Sequence, residues 1–95
     1  MRFVLLSAAA ALALSAMPAA ASSEVCAVAP DALRTLAASA DASTQKRALR
    51  NIVLGEALCD ARNRLEAQKK FSAAARALGT ELAVVMANPA SAAAQ

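Results

Sequence analysis

Apolar residues recur along this chain at helical spacing, and after residue 22 no stretch alternates apolar and polar positions as a strand does. The first stretch with this spacing starts at Pro30. Proline is favoured in the first turn of a helix, and Asp31 suits the same turn. Its apolar positions fall at i, i+3, i+4 and i+7, namely Leu33, Leu36, Ala37 and Ala40. The pattern predicts a short amphipathic helix with one buried face.

A second predicted helix extends to Asp60, with Asp41 or Ser43 as its N-cap. Two apolar stripes run along it about a third of a turn apart. One stripe consists of Ala48, Ile52, Gly55 and Cys59, and the other of Leu54, Leu58 and Ala61. A helix with two apolar stripes is expected to lie between two neighbours.

Arg62 and Asn63 interrupt this pattern before a third predicted helix, which ends at Gly79 because glycine is favoured just past a helix C-terminus. Its apolar face carries Leu65, Gln68, Phe71, Ala75 and Leu78, with Ala67 and Ala74 beside it. Thr80 is the expected cap of a last short helix that ends before Asn88 and Pro89. The sequence therefore predicts an all-α fold, a small bundle of three to four short helices over residues 22–87, followed by a flexible tail at 88–95.

The N-terminus has the layout of a secretory signal peptide. Arg2 precedes the apolar run "FVLLSAAAALALSAM", and Pro18 and the small residues "AAASS" follow it. We expect residues 1–21 to be removed between Ala21 and Ser22, which places the chain in the periplasm or outside the cell, with no stable membrane insertion after cleavage. The alternative is an uncleaved anchor, since Phe3 to Ala21 is just long enough to span a bilayer.

Cys26 and Cys59 are the two cysteines of the chain. In an oxidising compartment a small domain with little core is often stabilised by a disulfide, so we expect these two residues to be bonded. The alternative is redox chemistry, which usually places its two thiols close in sequence as C-x-x-C. This pair is far apart, and a structural bond is favoured.

Charge argues against nucleic acid as a ligand. Removal of the leader would take away Arg2 and lower the formal net charge from +3 to +2. The basic residues are spread from Arg34 to Arg76 with carboxylates between them, and Phe71 is the one aromatic residue after the leader. A nucleic-acid surface would instead cluster its cations and offer aromatic rings for stacking.

The composition also argues against catalysis, because the chain has no histidine, tyrosine or tryptophan. Glu56 and Asp60 stand four residues apart on the second helix, but paired catalytic carboxylates need a cleft that so small a domain hardly forms. We expect them to cover a solvated face beside Arg47, Arg50 and Arg64. No catalytic residue, cofactor or metal site is predicted.

The second and third helices resemble one tetratricopeptide repeat, over residues 51–80. The family has Leu-Gly early in its first helix and Ala-x-x-x-Phe in its second, and Leu54-Gly55, Ala67, Phe71 and Ala74 fall at that spacing. The sequence departs from the family at four positions, which hold Asn51, Leu58, Arg62 and Gly79.

The resemblance implies an antiparallel helical hairpin packed through Leu54, Gly55, Leu58, Ala67, Phe71, Ala74 and Leu78. Small residues would let the two helices approach, and Phe71 would fill the space between them. Kinship and convergence on the same packing both stay open. The family binds peptides in a groove of stacked repeats, whereas one repeat alone does not bury its apolar faces.

Two functions are consistent with these features. One is a non-catalytic interaction module that binds another envelope or secreted protein. The other is a structural or self-associating protein, such as a homodimer, without a dedicated ligand. Leu82, Val85 and Met86 on the last helix are the candidate contact surface, and whether that helix packs inward or lies open discriminates between the two. Action at a membrane surface is a weaker third idea, because the charge is moderate and tryptophan is absent.

Overall fold

A computed structural model describes residues 17–88, and their side chains from Glu24 onward. Residues 17–88 contain four helices and no strand, which confirms the all-α prediction. They are α1, Met17–Ala38; α2, Ala42–Asp60; α3, Arg64–Ala77; and α4, Leu82–Ala87. The predicted leader lies outside the described residues except for its last five, which belong to α1, and of the predicted tail only Asn88 is described.

Helix α1 starts well before Pro30, so the predicted start at that residue is wrong. Proline inside a helix has no N–H to donate to the carbonyl four residues earlier, here that of Cys26. The core stripe nevertheless continues on both sides of Pro30, through Val25, Ala29, Ala32, Leu33 and Ala37. Burial of this continuous stripe offsets the lost hydrogen bond, and the helix passes through the proline.

Helices α2 and α3 form a hairpin, and they share the most extensive contact between any two of the described helices. The turn between them closes with two hydrogen bonds, from the Asn63 amide to the Leu58 carbonyl at 2.8 Å and from the Arg62 amide to the Cys59 carbonyl at 3.0 Å. This is the Schellman arrangement, whose αL position is usually glycine. Here Arg62 occupies it, with a φ of 63°.

The same arrangement ends α3, with glycine in the αL position. Gly79 has a φ of 82°, its amide donates to the Arg76 carbonyl at 3.0 Å, and the Thr80 amide donates to the Ala75 carbonyl at 3.0 Å. The predicted stop at Gly79 is confirmed. Thr80 is not the cap of α4, because Glu81 occupies that position.

Helix α1 packs against both helices of the hairpin, and α4 contacts α1 and α3. Phe71, Leu33, Ile52 and Val25 are the largest fully buried side chains, one from α3, one from α2 and two from α1. The hairpin is therefore covered by flanking helices from its own chain. This answers the difficulty that one repeat-like hairpin cannot bury its apolar faces alone.

Candidate interaction surface

The predicted bond between Cys26 and Cys59 is present, and their Cα atoms are 5.9 Å apart. Cys26 is on α1 and Cys59 is one residue before the end of α2, so the bond ties the first helix to the hairpin. Both side chains are half-buried and pack against the core. The position is that of a structural cross-link.

Phe71 packs directly against Gly55 inside the hairpin. The Phe71 side chain is fully buried, and a Cβ atom added at Gly55 would lie 2.7 Å from both Cδ1 and Cζ of the ring. Real Cβ atoms do not come that close, so only glycine fits under the ring. Ala67 and Ala74 are fully buried on α3 as predicted.

The other residues predicted to pack the hairpin divide into two groups. Leu58 and Leu78 are half-buried against the core. Leu54 is 44% exposed, and its assignment to the packing is wrong. The reason is its position on the helix, about 200° round from Ile52 at 100° per residue. Leu65, predicted on the inner face of α3, is 70% exposed because it lies in the first turn, beyond the core.

Helix α4 packs inward, so the candidate contact surface on it is also wrong. Leu82 and Val85 are 7% and 3% exposed, and Met86 packs against the same core. The helix is so apolar that it stabilises the fold most by covering α1 and α3. Its one large exposed apolar side chain is Val84.

An ion pair that the sequence pattern does not predict joins α1 to α2. Arg34 donates from Nη1 to Glu56 Oε2 at 2.6 Å and from Nη2 to Glu56 Oε1 at 2.8 Å. The hydrogen bonds from Arg34 lower the pKa of Glu56, and those to Glu56 raise the pKa of Arg34. Glu56 is therefore engaged with α1 rather than with Arg47, Arg50 or Arg64. Arg34 is the one basic residue in α1, which was the available clue.

Exposed apolar side chains concentrate on the side of α2 that faces away from the core. We call this side the outer face of α2. Its residues, all exposed, are Lys46, Arg50, Val53, Leu54, Ala57 and Asp60, with Ala61 directly after the end of the helix. Val53 is 55% exposed and Leu54 is 44% exposed, and they are adjacent. No described helix covers this face.

The outer side of α3 has a shallow groove whose described lining comes from this helix alone, through Leu65, Glu66, Gln68, Lys69, Ser72 and Arg76. A groove on the surface of one helix does not enclose a small molecule. Among residues 17–88 no three His, Cys, Asp or Glu side chains lie close enough to hold a metal ion. None of the helices in this range is long and apolar enough to cross a membrane.

Comparison with known proteins returned no match to a protein family, to a curated protein or to a solved structure.

Proposed function

We propose that this chain is an exported, non-catalytic helical domain that binds protein through the outer face of α2. The observation that carries the proposal is the pair Val53 and Leu54, two aliphatic side chains about half exposed on a face that no described helix covers. Together with the charged residues of the same face, they offer a partner an apolar area bordered by polar groups. Relation to the tetratricopeptide family stays a prediction, and it would not change this surface.

The disulfide supports the exported location. Such bonds persist in oxidising compartments and are rare in the cytosol. Cys26 lies five residues after the predicted cleavage point and is bonded to Cys59, so removal of residues 1–21 would leave the bond intact. We expect intact-mass measurement of the protein isolated from the envelope or the medium to show loss of residues 1–21 and of two hydrogens. Recovery of the full-length reduced chain from the cytosol would contradict export.

The contact surface is tested by placing a photo-crosslinking amino acid at position 53 in the full chain, in the producing cells. The matched control carries it at position 84, because Val84 is the same residue type at 59% exposure on α4. We expect a discrete crosslinked band from position 53 and none from position 84. Equal labelling at both positions, or none at either, would reject the proposed surface.

The second candidate function is a structural, self-associating protein. The sequence along the outer face favours this candidate, because some of its residues would be complementary in charge and size to the same residues of a second, antiparallel copy.

A further inference from the structure

Four residues of the outer face of α2 form a self-complementary stripe. Arg50, Val53, Ala57 and Asp60 are all exposed, and they are spaced by three, four and three residues. At 100° per residue they fall within an arc of about 80° on the helix, so they share one line along the surface. Between Arg50 and Asp60 the stripe is about 15 Å long.

When two copies of α2 lie antiparallel, the stripe of one copy can pack against the same stripe of the other. Residues whose numbers sum to 110 then face each other, so that Arg50 meets Asp60 of the second copy and Val53 meets its Ala57. Each contact occurs twice about the two-fold axis, as in every interface that pairs a patch with itself. The small Ala57 leaves room for Val53, and each Arg50 faces the Asp60 carboxylate of the other copy.

We propose that a second copy of this chain docks on the outer face of α2 in this antiparallel register. The inference rests on the proposed function, since it names the partner of the same surface. The parallel alternative would place Arg50 on Arg50 and Asp60 on Asp60, which like charges disfavour. Arg50 and Asp60 carry no ion pair within the described part of their own chain, so both are available to the second copy.

The contact is small, and the dimer is correspondingly weak. One stripe of a 19-residue helix falls in the low class of interface areas, so we expect a dissociation constant on the order of 100 μM. Its charge pairs lie at the rim, so dimerisation weakens as salt rises. Sedimentation velocity of the purified disulfide-bonded protein over a concentration series gives the dissociation constant, and repeating the series at high salt gives its salt dependence.

Val53→Lys is the first variant, and Val84→Lys is its matched control at similar exposure on α4. We expect Val53→Lys to weaken dimerisation at least about tenfold, because it places a cation in the apolar centre of the contact, and Val84→Lys to change it less than about twofold. Equal effects of the two variants would overturn the register, and so would a wild-type protein that stays monomeric at about ten times the expected constant.

Charge reversal tests the pairing directly. Arg50→Asp and Asp60→Arg should each weaken dimerisation about threefold to tenfold, and the double variant should restore it to within about twofold. The two positions are ~15 Å apart within one chain, so restoration reports contact between chains. Failure of the double variant to restore dimerisation would overturn the proposed pairing.

The position-53 crosslink in cells separates this inference from the function on which it rests. A band at twice the chain mass supports the second copy as the partner. A discrete band at another mass, together with a monomeric purified protein, overturns self-docking and leaves the proposed contact surface in place. Absence of any band overturns both.

Discussion

Ile52 and Val53 are neighbours in sequence on the same helix, yet Ile52 is fully buried and Val53 is 55% exposed. Both are β-branched and apolar, so residue type does not distinguish them. What differs is the side of α2 on which each lies. Ile52 is on the side occupied by α1 and α3, together with Ala48 and Gly55. Val53 is on the outer face.

The comparison separates the residues that hold the fold from those that are available for binding. The inner face carries the close contact of Gly55 with Phe71 and the disulfide to α1, where a change of one methyl group is felt. The outer face contributes little to folding because its side chains remain in water. Apolar side chains on the outer face are therefore available to contact another molecule.

The largest effect is expected from Phe71→Ala, which removes the buried ring that packs against the inner face of α2. Truncating a fully buried phenylalanine costs about 3–5 kcal/mol, and the core of so small a domain rarely contributes more than this. Leu65→Ala, at 70% exposure on the same helix, should change stability by less than about 0.5 kcal/mol. Urea denaturation followed by circular dichroism measures both. Similar midpoints for the two variants would contradict the assignment of Phe71 to the core.

Opening the disulfide is the next largest change. A bond between residues 33 positions apart restricts the unfolded chain enough to contribute about 3–4 kcal/mol in the chain-entropy description. We expect a reductant to lower the urea midpoint of the wild type accordingly. A variant with alanine at both Cys26 and Cys59 is the control, because reductant should not affect it. An unchanged wild-type midpoint would show that the bond does not support the fold.

Gly55→Ala tests the close contact itself. The added methyl group would overlap the buried ring of Phe71, and overpacking of this kind costs about 1–3 kcal/mol. If the ring is the cause, Phe71→Leu should reduce that penalty, and the double variant should be more stable than the two single changes predict by addition. Chemical denaturation of the four proteins measures the coupling. Additive effects would place the origin of the penalty elsewhere.

The sequence predicted the inner face of α2 well, because Ala48, Ile52, Gly55 and Cys59 repeat at helical spacing. It failed where neighbours decide the outcome. Leu54 is as apolar as the core residues, and only the positions of α1 and α3 show that it faces away from them. The apolar pattern of Leu82 and Val85 is equally consistent with a contact surface and with the core, because periodicity does not show which surface a short apolar helix covers.

Local backbone preferences predicted some helix ends correctly and others incorrectly. Gly79 predicted the end of α3 because glycine adopts positive φ without a Cβ clash. Arg62 gave no such indication, although it adopts the same conformation at the end of α2. Pro30 indicated a helix start, whereas packing of Val25 and Ala29 extends the helix before it. Local preference was decisive only where tertiary packing did not oppose it.

Acid should weaken the ion pair between Arg34 and Glu56, which lies between the inner and outer faces of α2, and so lower the stability of the fold. The pKa of Glu56 is lowered from its ordinary value of 4.5, so the pair stabilises the fold above that value and is lost as the pH falls below it. Each side chain is 38% exposed, so solvent screens the pair and Glu56→Gln should cost only about 0.5–1 kcal/mol. Urea midpoints at pH 7 and pH 3 measure this. We expect the variant to lose less stability than the wild type between these two pH values, and equal losses would contradict the assignment.

Val53→Ala should have the smallest effect on folding, and that is why it sharpens the comparison. The side chain is 55% exposed, and alanine is the better helix former, so the change in stability should stay within about 0.5 kcal/mol of zero. Ile52→Ala, one residue away on the inner face, should cost about 2–5 kcal/mol. Thermal and urea denaturation of the two variants at low protein concentration, where any dimer is dissociated, give the folding contribution alone. If Val53→Ala were as destabilising as Ile52→Ala, Val53 would belong to the core, and the outer face would lose its claim to be a contact surface. If instead the variant is as stable as the wild type at low concentration and differs only in dimerisation at high concentration, the Val53 side chain acts between molecules, because its removal leaves the monomer unchanged.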